Sequence, residues 1–196
     1  FSAYLLLKPG RIPYINRNLY YFAGKDVWKT LFDLEAMRPG MVLLSAQAPD
    51  GDPAWCDVVT LMTPVATRPW KAWEGSAPGR RPEAYTALKA AMTQATVDFA
   101  CARLPELRDA IAHTYAATPL TYRHYTGAPH GAAYGLLKDW RSIMASHIPA
   151  RTKFDNLLLT GQNLTVHGAI GVTLSAAATC SEIVGTEYLA KKIAYA

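Results

Sequence analysis

Short apolar runs, interrupted by turn residues, make up the first third of the chain. Runs of this length between Pro, Gly, Asn and Asp are typical of β-strands. We therefore predict strands at residues 2–8, 18–22, 41–47 and 57–64. Asp26 is placed to cap a short helix that continues to Met37 and stops before Pro39. We expect the strands to be antiparallel and to form a mixed sheet layer around this one short helix.

A helical repeat dominates the middle of the chain. Between residues 81 and 103, apolar side chains recur at steps of three and four, at Tyr85, Leu88, Met92, Ala95 and Phe99. These positions share one face of a helix. We expect this face to pack against the sheet and not to contact a cofactor. A further helical turn is expected at 107–112, and residues 111–118 become strand-like.

Residues 118–127 and 131–135 are crowded with aromatic, hydroxyl and glycine residues, which predicts an irregular loop. Glycines let a backbone approach a flat or bulky ligand closely, so a binding loop and an ordinary surface loop both fit this pattern. His124 and His130 lie in this region. Without a carboxylate partner in view, we interpret both as solvent-exposed or structural histidines.

The last part of the chain carries the most specific pattern. An apolar run at 157–161 predicts a buried parallel strand, and a glycine-bearing turn then leads into a helix that ends at Gly185. The first turn of this helix holds Gly168 and Gly171. A helix N-terminus has unpaired N–H groups and a partial positive charge, which suit an electron-rich ligand. Tight packing of the helix on a sheet explains its small residues equally well.

Composition excludes some classes of function. The chain has 196 residues, of which 51% are hydrophobic and 18% charged, so it is globular and rather apolar. Its net charge of +5 is scattered, and nucleic acid is therefore not an expected partner. Cys56, Cys101 and Cys180 lie far apart and form no C-x-x-C pair. We expect neither a metal site nor a disulfide framework, and infer a reducing, cytoplasmic location.

The first residues are expected to be neither a signal peptide nor a membrane span. The apolar run at 3–7 is short, and Lys8, Pro9 and Gly10 follow it at once. A chain that opens on an apolar strand without Met is expected to be a piece of a longer polypeptide.

Three segments in the right order resemble the phytoene desaturase-like flavoproteins, which include carotenoid isomerases and retinol saturases. The segments are 157–163 with 166–172, then 118–122 with 125–127 and 134–135, and finally 5–9 with 13–16. The resemblance spans nearly the whole chain and implies the C-terminal part of such a protein. The implied fold is α/β, or α+β within this chain. Residues 1–115 would be a substrate-binding portion, and 116–196 the C-terminal portion of an FAD-binding domain.

The resemblance also implies which residues contact FAD. Flavin-side contacts are expected at Gly161, Gln162, Gly168, Ala169, Ile170 and Gly171, and in the loop from Gly131 to Gly135. Tyr134 would form a wall beside the flavin, and His167 would shape its redox face. Both are candidate catalytic residues, although no acid or base is assured because the flavin itself carries the chemistry in this family.

Two features depart from the family pattern. Many related flavoproteins have an acidic residue where Gln162 stands; Gln both donates and accepts, so contact with FAD survives with a different charge. The strand–GxGxxG–helix unit that seats the pyrophosphate does not occur in these 196 residues. We therefore expect the chain alone to bind FAD poorly and to be inactive. Its expected partner is the N-terminal FAD-binding half.

The expected activity of the complete protein is FAD-dependent oxidoreduction at carbon–carbon double bonds of a lipophilic polyene or other isoprenoid. Desaturation, saturation and isomerisation all fit. One alternative is a non-catalytic module that binds an apolar ligand or a partner. Another is an amine oxidase-type flavoenzyme, which Gln162 disfavours. A polyene substrate is compatible with peripheral membrane contact, although no amphipathic basic helix indicates it.

Overall fold

The computed structural model describes residues 1–32, 34, 37–51 and 53–194. The chain divides into two compact units, Phe1–Gly131 and Ala132–Ala196. The assignment of residues 1–115 to a substrate-binding portion and of 116–196 to an FAD-binding portion concerns function, and it stays a prediction.

The first unit is built on a five-stranded sheet. Its strands are β1 (Ser2–Leu7), β2 (Leu19–Phe22), β3 (Met41–Gln47), β4 (Val58–Met62) and β5 (Ile111–Ala117), in the order β2-β3-β4-β1-β5. The strands predicted from the sequence are confirmed. The expected mixed sheet is wrong, because all the neighbouring strands pair antiparallel. Between β3 and β4, a short turn-rich connection reverses the chain, whereas a parallel pair would need a long crossover.

Helices surround this sheet and make up most of the second unit. Those of the first unit are α1 (Val27–Phe32), α2 (Glu83–Cys101), α3 (Leu107–Ala110) and α4 (Pro119–Thr126). Those of the second unit are α5 (Ile143–Ser146), α6 (Gly168–Val184) and α7 (Thr186–Ala194). Short 3-10 helices lie at Arg68–Trp73, Pro129–Gly131 and Trp140–Ser142. None of the helices in the described residues is long and apolar enough to cross a membrane.

One face of the sheet forms the core with α2. Alternate strand residues on this face are fully buried, namely Ala3, Leu5, Val42, Leu44, Val59 and Leu61. Tyr85 and Met92 of α2 belong to the same core, as does Trp70, which packs edge-to-face against Tyr85. The helix predicted over 81–103 is thus confirmed, and its predicted face is confirmed in part. Leu88, Ala95 and Phe99 are only partly buried, whereas Thr96, Val97 and Ala100, which the pattern did not single out, are buried. Burial of each large apolar side chain contributes about 1.5–3 kcal/mol, so this layer accounts for much of the unit's stability.

The start of α1 follows the predicted cap. Asp26 Oδ1 accepts a hydrogen bond from the backbone N–H of Lys29 at 3.0 Å. The helix ends at Phe32. Of the predicted continuation to Met37, residues 33, 35 and 36 lie outside the described residues.

Residues 118–127 form a capped helix, so the expected irregular loop is wrong. The Thr118 side chain accepts from the backbone N–H of Thr121, and the Thr121 side chain accepts from the backbone N–H of Thr118, which makes a capping box. Pro119 suits the first helical turn because its missing N–H would have no partner there. Gly127 ends the helix with φ 67°, a conformation that glycine adopts without strain. These end signals outweigh the modest helix propensity of the aromatic residues between them.

In the second unit, the predicted helix is confirmed and the predicted strand is wrong. The helix α6 begins at Gly168 and ends before Gly185. Residues 157–161 do not form a strand. Their β-type pairing is limited to one isolated antiparallel bridge, between Arg151 and Leu158. A buried parallel strand needs hydrogen-bonded neighbours on both sides, and the described part of this unit offers none. Leu157 and Leu159 accordingly remain 46% and 38% exposed.

Candidate cofactor-binding site

The N-terminus of α6 is exposed and has no side-chain cap. His167 precedes it with extended backbone and makes no capping hydrogen bond, and the first turn contains no acidic residue. The candidate catalytic residue His167 and the predicted contacts Gly168, Ala169 and Ile170 are exposed at this helix end. The N–H groups of a first helical turn have no acceptor within the helix. This end therefore offers donors and partial positive charge to an electron-rich group.

Gly168 and Gly171 are glycines for different physical reasons. Gly168 has φ 79°, and a Cβ added there would meet no atom within 4 Å. A ligand can therefore approach the helix start at Gly168. Gly171 is buried, and a Cβ there would lie 2.2 Å from the carbonyl oxygen of Val166. Gly171 thus lets the preceding turn pack against the helix, and its contact with a flavin stays a prediction.

Tyr134 and His167, the two candidate catalytic residues, lie side by side. Their ring centroids are 5.0 Å apart with the planes tilted by 38°. The neighbouring Asn163 holds the two segments together, because its Oδ1 accepts from the backbone N–H of Leu136 at 3.0 Å. Gly135 permits this contact, since a Cβ at that position would lie 2.0 Å from the same oxygen. The structure therefore brings together residues from both of the predicted flavin-side segments of this unit.

Lys138 fixes the turn that leads into this region. Its Nζ donates to three backbone carbonyl oxygens, those of Ser146 and Asn163 at 2.6 Å and that of Leu164 at 3.1 Å. Charge-assisted hydrogen bonds of this kind are stronger than neutral ones. The ammonium group thus orders the turn at 161–164, which contains two of the predicted contact residues.

The remaining predicted contacts differ in their surroundings. Gly161 and Gln162 are half-buried, and a Cβ on Gly161 would meet nothing within 4 Å. Gly131 belongs to the first unit, where a Cβ would lie 1.9 Å from the carbonyl oxygen of Pro119. Close packing against α4 therefore explains Gly131 without a ligand. Flavin contact at each of these positions stays a prediction.

The sheet face opposite α2 is partly open. Tyr4 stands directly across from Thr60 on one side and Tyr115 on the other, and Leu43 is paired with Met62. Directly opposed residues of an antiparallel pair point to the same face. Tyr115 is 59% exposed, and the other four are partly buried. This face combines aromatic, aliphatic and hydroxyl groups within the portion predicted to bind substrate.

Known proteins with a sequence similar to this chain were found. No protein-family profile matches the chain. The chain is 29% identical to the all-trans-retinol 13,14-reductase of Homo sapiens in an alignment of 143 positions, which covers 68% of this chain and 23% of that protein. It is 30% identical to the proteins of the same name from Macaca fascicularis and Rattus norvegicus, with the same coverage. The chain is a homologue of the all-trans-retinol 13,14-reductases.

This relationship confirms the resemblance to the phytoene desaturase-like flavoproteins, whose relatives include the retinol saturases. The chain spans less than a quarter of the length of the retinol reductases that it matches. The activity, substrate and partners of a whole protein therefore do not pass to it directly from these relatives.

Sequence reasoning missed two residues that shape the site of this retinol reductase homologue. Lys138 and Asn163 make their contacts with backbone groups well separated from them along the chain. No local pattern marks a lysine that donates to three carbonyls, those of Asn163 and Leu164 being far from it along the chain. Asn163 did lie inside a segment that resembles the family, and that was the one available signal.

Proposed function

We propose that this chain supplies one wall of the FAD site and the substrate-binding surface of an FAD-dependent oxidoreductase. The oxidoreductase would act on a carbon–carbon double bond of a retinoid or a similar polyene. One observation carries the proposal: the exposed, uncapped start of α6 lies beside the Tyr134–His167 pair in a homologue of the retinol reductases.

The residues at this helix start fit a flavin. The first-turn N–H groups suit the electron-rich edge of the ring system, and the missing side chain at Gly168 leaves room for close approach. Tyr134 offers an aromatic surface that is 51% exposed. FAD, when bound, supplies the hydride chemistry at the double bond. In this proposal the chain's own groups bind and orient, with Gly168 and Ala169 donating N–H groups and Tyr134 covering one side.

His167 would act at the same edge. Its ring is exposed, contacts Tyr134, and is not used to cap α6. An imidazole both donates and accepts hydrogen bonds, so it can hold a proton at the rim of the site. The proposal assigns it the shaping of the redox face and does not require it as a general acid or base.

The open face of the sheet supports a lipophilic substrate. Aliphatic and aromatic side chains there give dispersion contacts along a polyene, and the hydroxyl groups of Tyr4, Thr60 and Tyr115 allow hydrogen bonds to a terminal polar group. Binding pockets for small molecules combine these two features.

The surface of α6 supports a further part of the proposal, namely that an FAD-binding half packs on this helix. Ile170, Leu174 and Ile183 are 79%, 56% and 71% exposed. Ile170 and Leu174, four positions apart, share one face of the helix, and Ile183 lies on the opposite side. A helix that is apolar all round is normally buried in a larger protein. The proposed occupant is the N-terminal, dinucleotide-binding part of a longer flavoprotein.

The test of the cofactor assignment is flavin binding by the longest open reading frame that contains this chain. The purified protein is expected to carry flavin absorbance and to bind FAD reversibly. Gly168→Ala adds a methyl group where the ligand would approach, and we expect it to weaken FAD binding about ten-fold, equivalent to about 1.4 kcal/mol.

Gly185→Ala is the matched control. Gly185 ends the same helix with φ 86° and also has no atom within 4 Å of an added Cβ, so alanine is disfavoured by a positive φ at both positions. We expect Gly185→Ala to leave FAD affinity unchanged. Equal losses in the two variants, or no flavin in the wild-type protein, would contradict the proposal.

Product analysis tests the substrate. All-trans-retinol is offered under reducing conditions and under oxidising conditions, and the products are separated and identified by mass. A change of two hydrogen atoms would establish saturation or desaturation, and a change of retention at constant mass would establish isomerisation. A protein that binds FAD but oxidises amines and leaves polyenes untouched would retain the cofactor assignment and overturn the substrate.

A further inference from the structure

A cavity lies in the first unit between the beginning of α2 and the helix α4. Its volume is about 300 Å³, and its walls include Arg81, Thr86 and Lys89 on one side and Thr121, His124 and Tyr125 on the other. Residues three and four positions apart share a helix face, which explains how α2 and α4 each bring more than one polar side chain to it. No carboxylate is among the described residues that line this cavity.

Arg81 brings a positive charge that only neutral groups contact. Its guanidinium donates to the hydroxyl of Tyr85 and, at 3.4 Å, to the carbonyl oxygen of Leu120. It also lies 4.6 Å from the centre of the Tyr85 ring. Its Nε is buried without a hydrogen-bond partner, and no ion pair to Arg81 forms within the described chain. Guanidinium groups in such surroundings normally pair with a carboxylate or a phosphate.

Lys89 and His124 add further donors. The Lys89 ammonium makes no hydrogen bond and no ion pair with any residue that the structure describes. The ring of His124 packs edge-to-face on Tyr125, with ring centroids 4.8 Å apart. It makes no ion pair with any residue that the structure describes. Both side chains therefore keep their hydrogen-bonding capacity.

Glu74, an acid beside the cavity, does not neutralise this group. Glu74 lines the adjoining cavity together with Arg81 and His124, but its carboxylate pairs with Arg123 at 3.0 Å. The positive charge of Arg123 is thereby balanced within the protein, whereas the charges of Arg81 and Lys89 are not.

We propose that this cavity binds the oxyanion group of a ligand, with phosphate as the group that best fits its donors. Arg81 and Lys89 supply the charge, and His124 supplies a directional hydrogen bond. The volume is at the lower end for ligand sites, which suits a single phosphate group with a small attachment. None of its described lining residues belongs to the predicted flavin contacts or to the open sheet face, and the proposal does not depend on the flavin assignment.

The same phosphate chemistry belongs to a soluble ion and to the headgroup of an anionic lipid, and two probes separate these sources. Inorganic phosphate is titrated into the full chain, and binding is followed by calorimetry and by amide chemical shifts of residues 85–89 and 121–125. In parallel, the chain is mixed with phosphatidylcholine vesicles with or without phosphatidic acid, and the bound fraction is measured by sedimentation. Chloride at equal ionic strength controls for screening.

Lys89→Gln tests the site without removing the contacts that Arg81 makes to the fold. We expect this variant to weaken phosphate binding about ten-fold, equivalent to about 1.4 kcal/mol, because it loses a charge-assisted hydrogen bond. His124→Gln should weaken it less. Lys25→Gln, an equal change of charge at an exposed position outside the cavity, should leave binding unchanged.

The outcomes decide whether the cavity binds phosphate and whether that phosphate belongs to a soluble ligand or to a lipid headgroup. Saturable phosphate binding that Lys89→Gln weakens and Lys25→Gln does not would support a soluble ligand. Binding only to vesicles with phosphatidic acid, with the same response to the two variants, would support a lipid headgroup. If neither probe binds, or if Lys25→Gln and Lys89→Gln have equal effects, the proposal is overturned.

Discussion

At the scale of single residues, the candidate site depends on polar groups that satisfy backbone atoms. Lys138 donates to three carbonyl oxygens and Asn163 accepts from a backbone N–H, so both side chains replace hydrogen bonds that a regular strand would supply. Segment 157–164 lacks such a strand. Its order therefore rests on a few side chains and is sensitive to their removal.

Lys138→Met should destabilise this turn by about 2 kcal/mol, because the carbonyls lose a charged donor while the aliphatic part of the side chain is kept. The measurement is hydrogen exchange at Ile148, whose N–H donates to the carbonyl oxygen of Leu164 at 2.9 Å. Its exchange should accelerate in the variant. Lys191→Met, at an exposed position of α7, is the control and should leave this rate unchanged. Equal rates in all three proteins would show that Lys138 does not order the turn.

At the scale of elements, α4 illustrates how the ends of a helix fix its position. Thr118 caps the start and also hydrogen-bonds the hydroxyl of Tyr85 at 2.9 Å, which links α4 to α2. After the helix ends at Gly127, the chain returns so that Gly131 lies against the carbonyl oxygen of Pro119. The wall of the proposed phosphate cavity is thus held at both ends of the helix.

Gly131→Ala and Gly127→Ala form a matched pair that measures this contact. The two glycines have φ 70° and 67°, so alanine costs about 1–2 kcal/mol of backbone strain at either position. Only at residue 131 would the methyl group also lie 1.9 Å from Pro119 O, with nothing within 4 Å at residue 127. We expect Gly131→Ala to lower the free energy of unfolding by at least about 2 kcal/mol more than Gly127→Ala. Urea denaturation of both variants checks this, and equal losses would contradict the close approach.

At the scale of the whole molecule, buried apolar side chains are unevenly distributed. The hydrophobic core consists of residues from Phe1 to Leu120. In the described part of the second unit, Leu164 is the buried large hydrophobic residue, while most of the chain's exposed large hydrophobic side chains belong to this unit. Exposed apolar surface of this extent marks interaction sites. This agrees with the proposal that an FAD-binding half covers α6.

Cys180 and Cys101 provide a test of that covering. Cys180 is exposed on α6, so a maleimide should modify it rapidly in the 196-residue chain. Cys101 is buried, and burial raises the pKa of its thiol, so less reactive thiolate forms at neutral pH and labelling should be slow. In a longer protein that retains an FAD-binding half, labelling of Cys180 should fall at least about ten-fold, as expected when a reactive group is accessible only through local opening.

Mass spectrometry of labelled peptides at successive times measures both rates in one sample. Cys101 serves as the internal control, since its labelling should stay slow in both proteins. Rapid labelling of Cys180 in the longer protein would show that α6 remains uncovered. The proposed packing would then be wrong, whereas the flavin site could still be tested independently.

Local patterns alone predicted a large part of this fold. The strands β1 to β4, part of the buried face of α2 and the start of α6 at its glycine pair all follow from periodicity and turn residues within short windows. The signals for α4 were also local, because Thr118, Pro119 and Gly127 mark both of its ends, but the aromatic residues between them suggested a loop. The resemblance to the phytoene desaturase-like proteins likewise came from short segments, and the retinol reductase relatives confirm it.

Tertiary structure decided the rest, because the physical causes lie far apart along the chain. The strand order β2-β3-β4-β1-β5 depends on which strands form hydrogen-bonded pairs, and a local sequence pattern does not specify the pairs. An apolar run such as 157–161 becomes a buried strand only where neighbouring strands pair with it, and its composition cannot show whether they are present. The contacts of Lys138 and the unbalanced charge of Arg81 also depend on groups that only the folded chain brings near them. The sequence determined which segments could form each element, and long-range pairing determined which of them did.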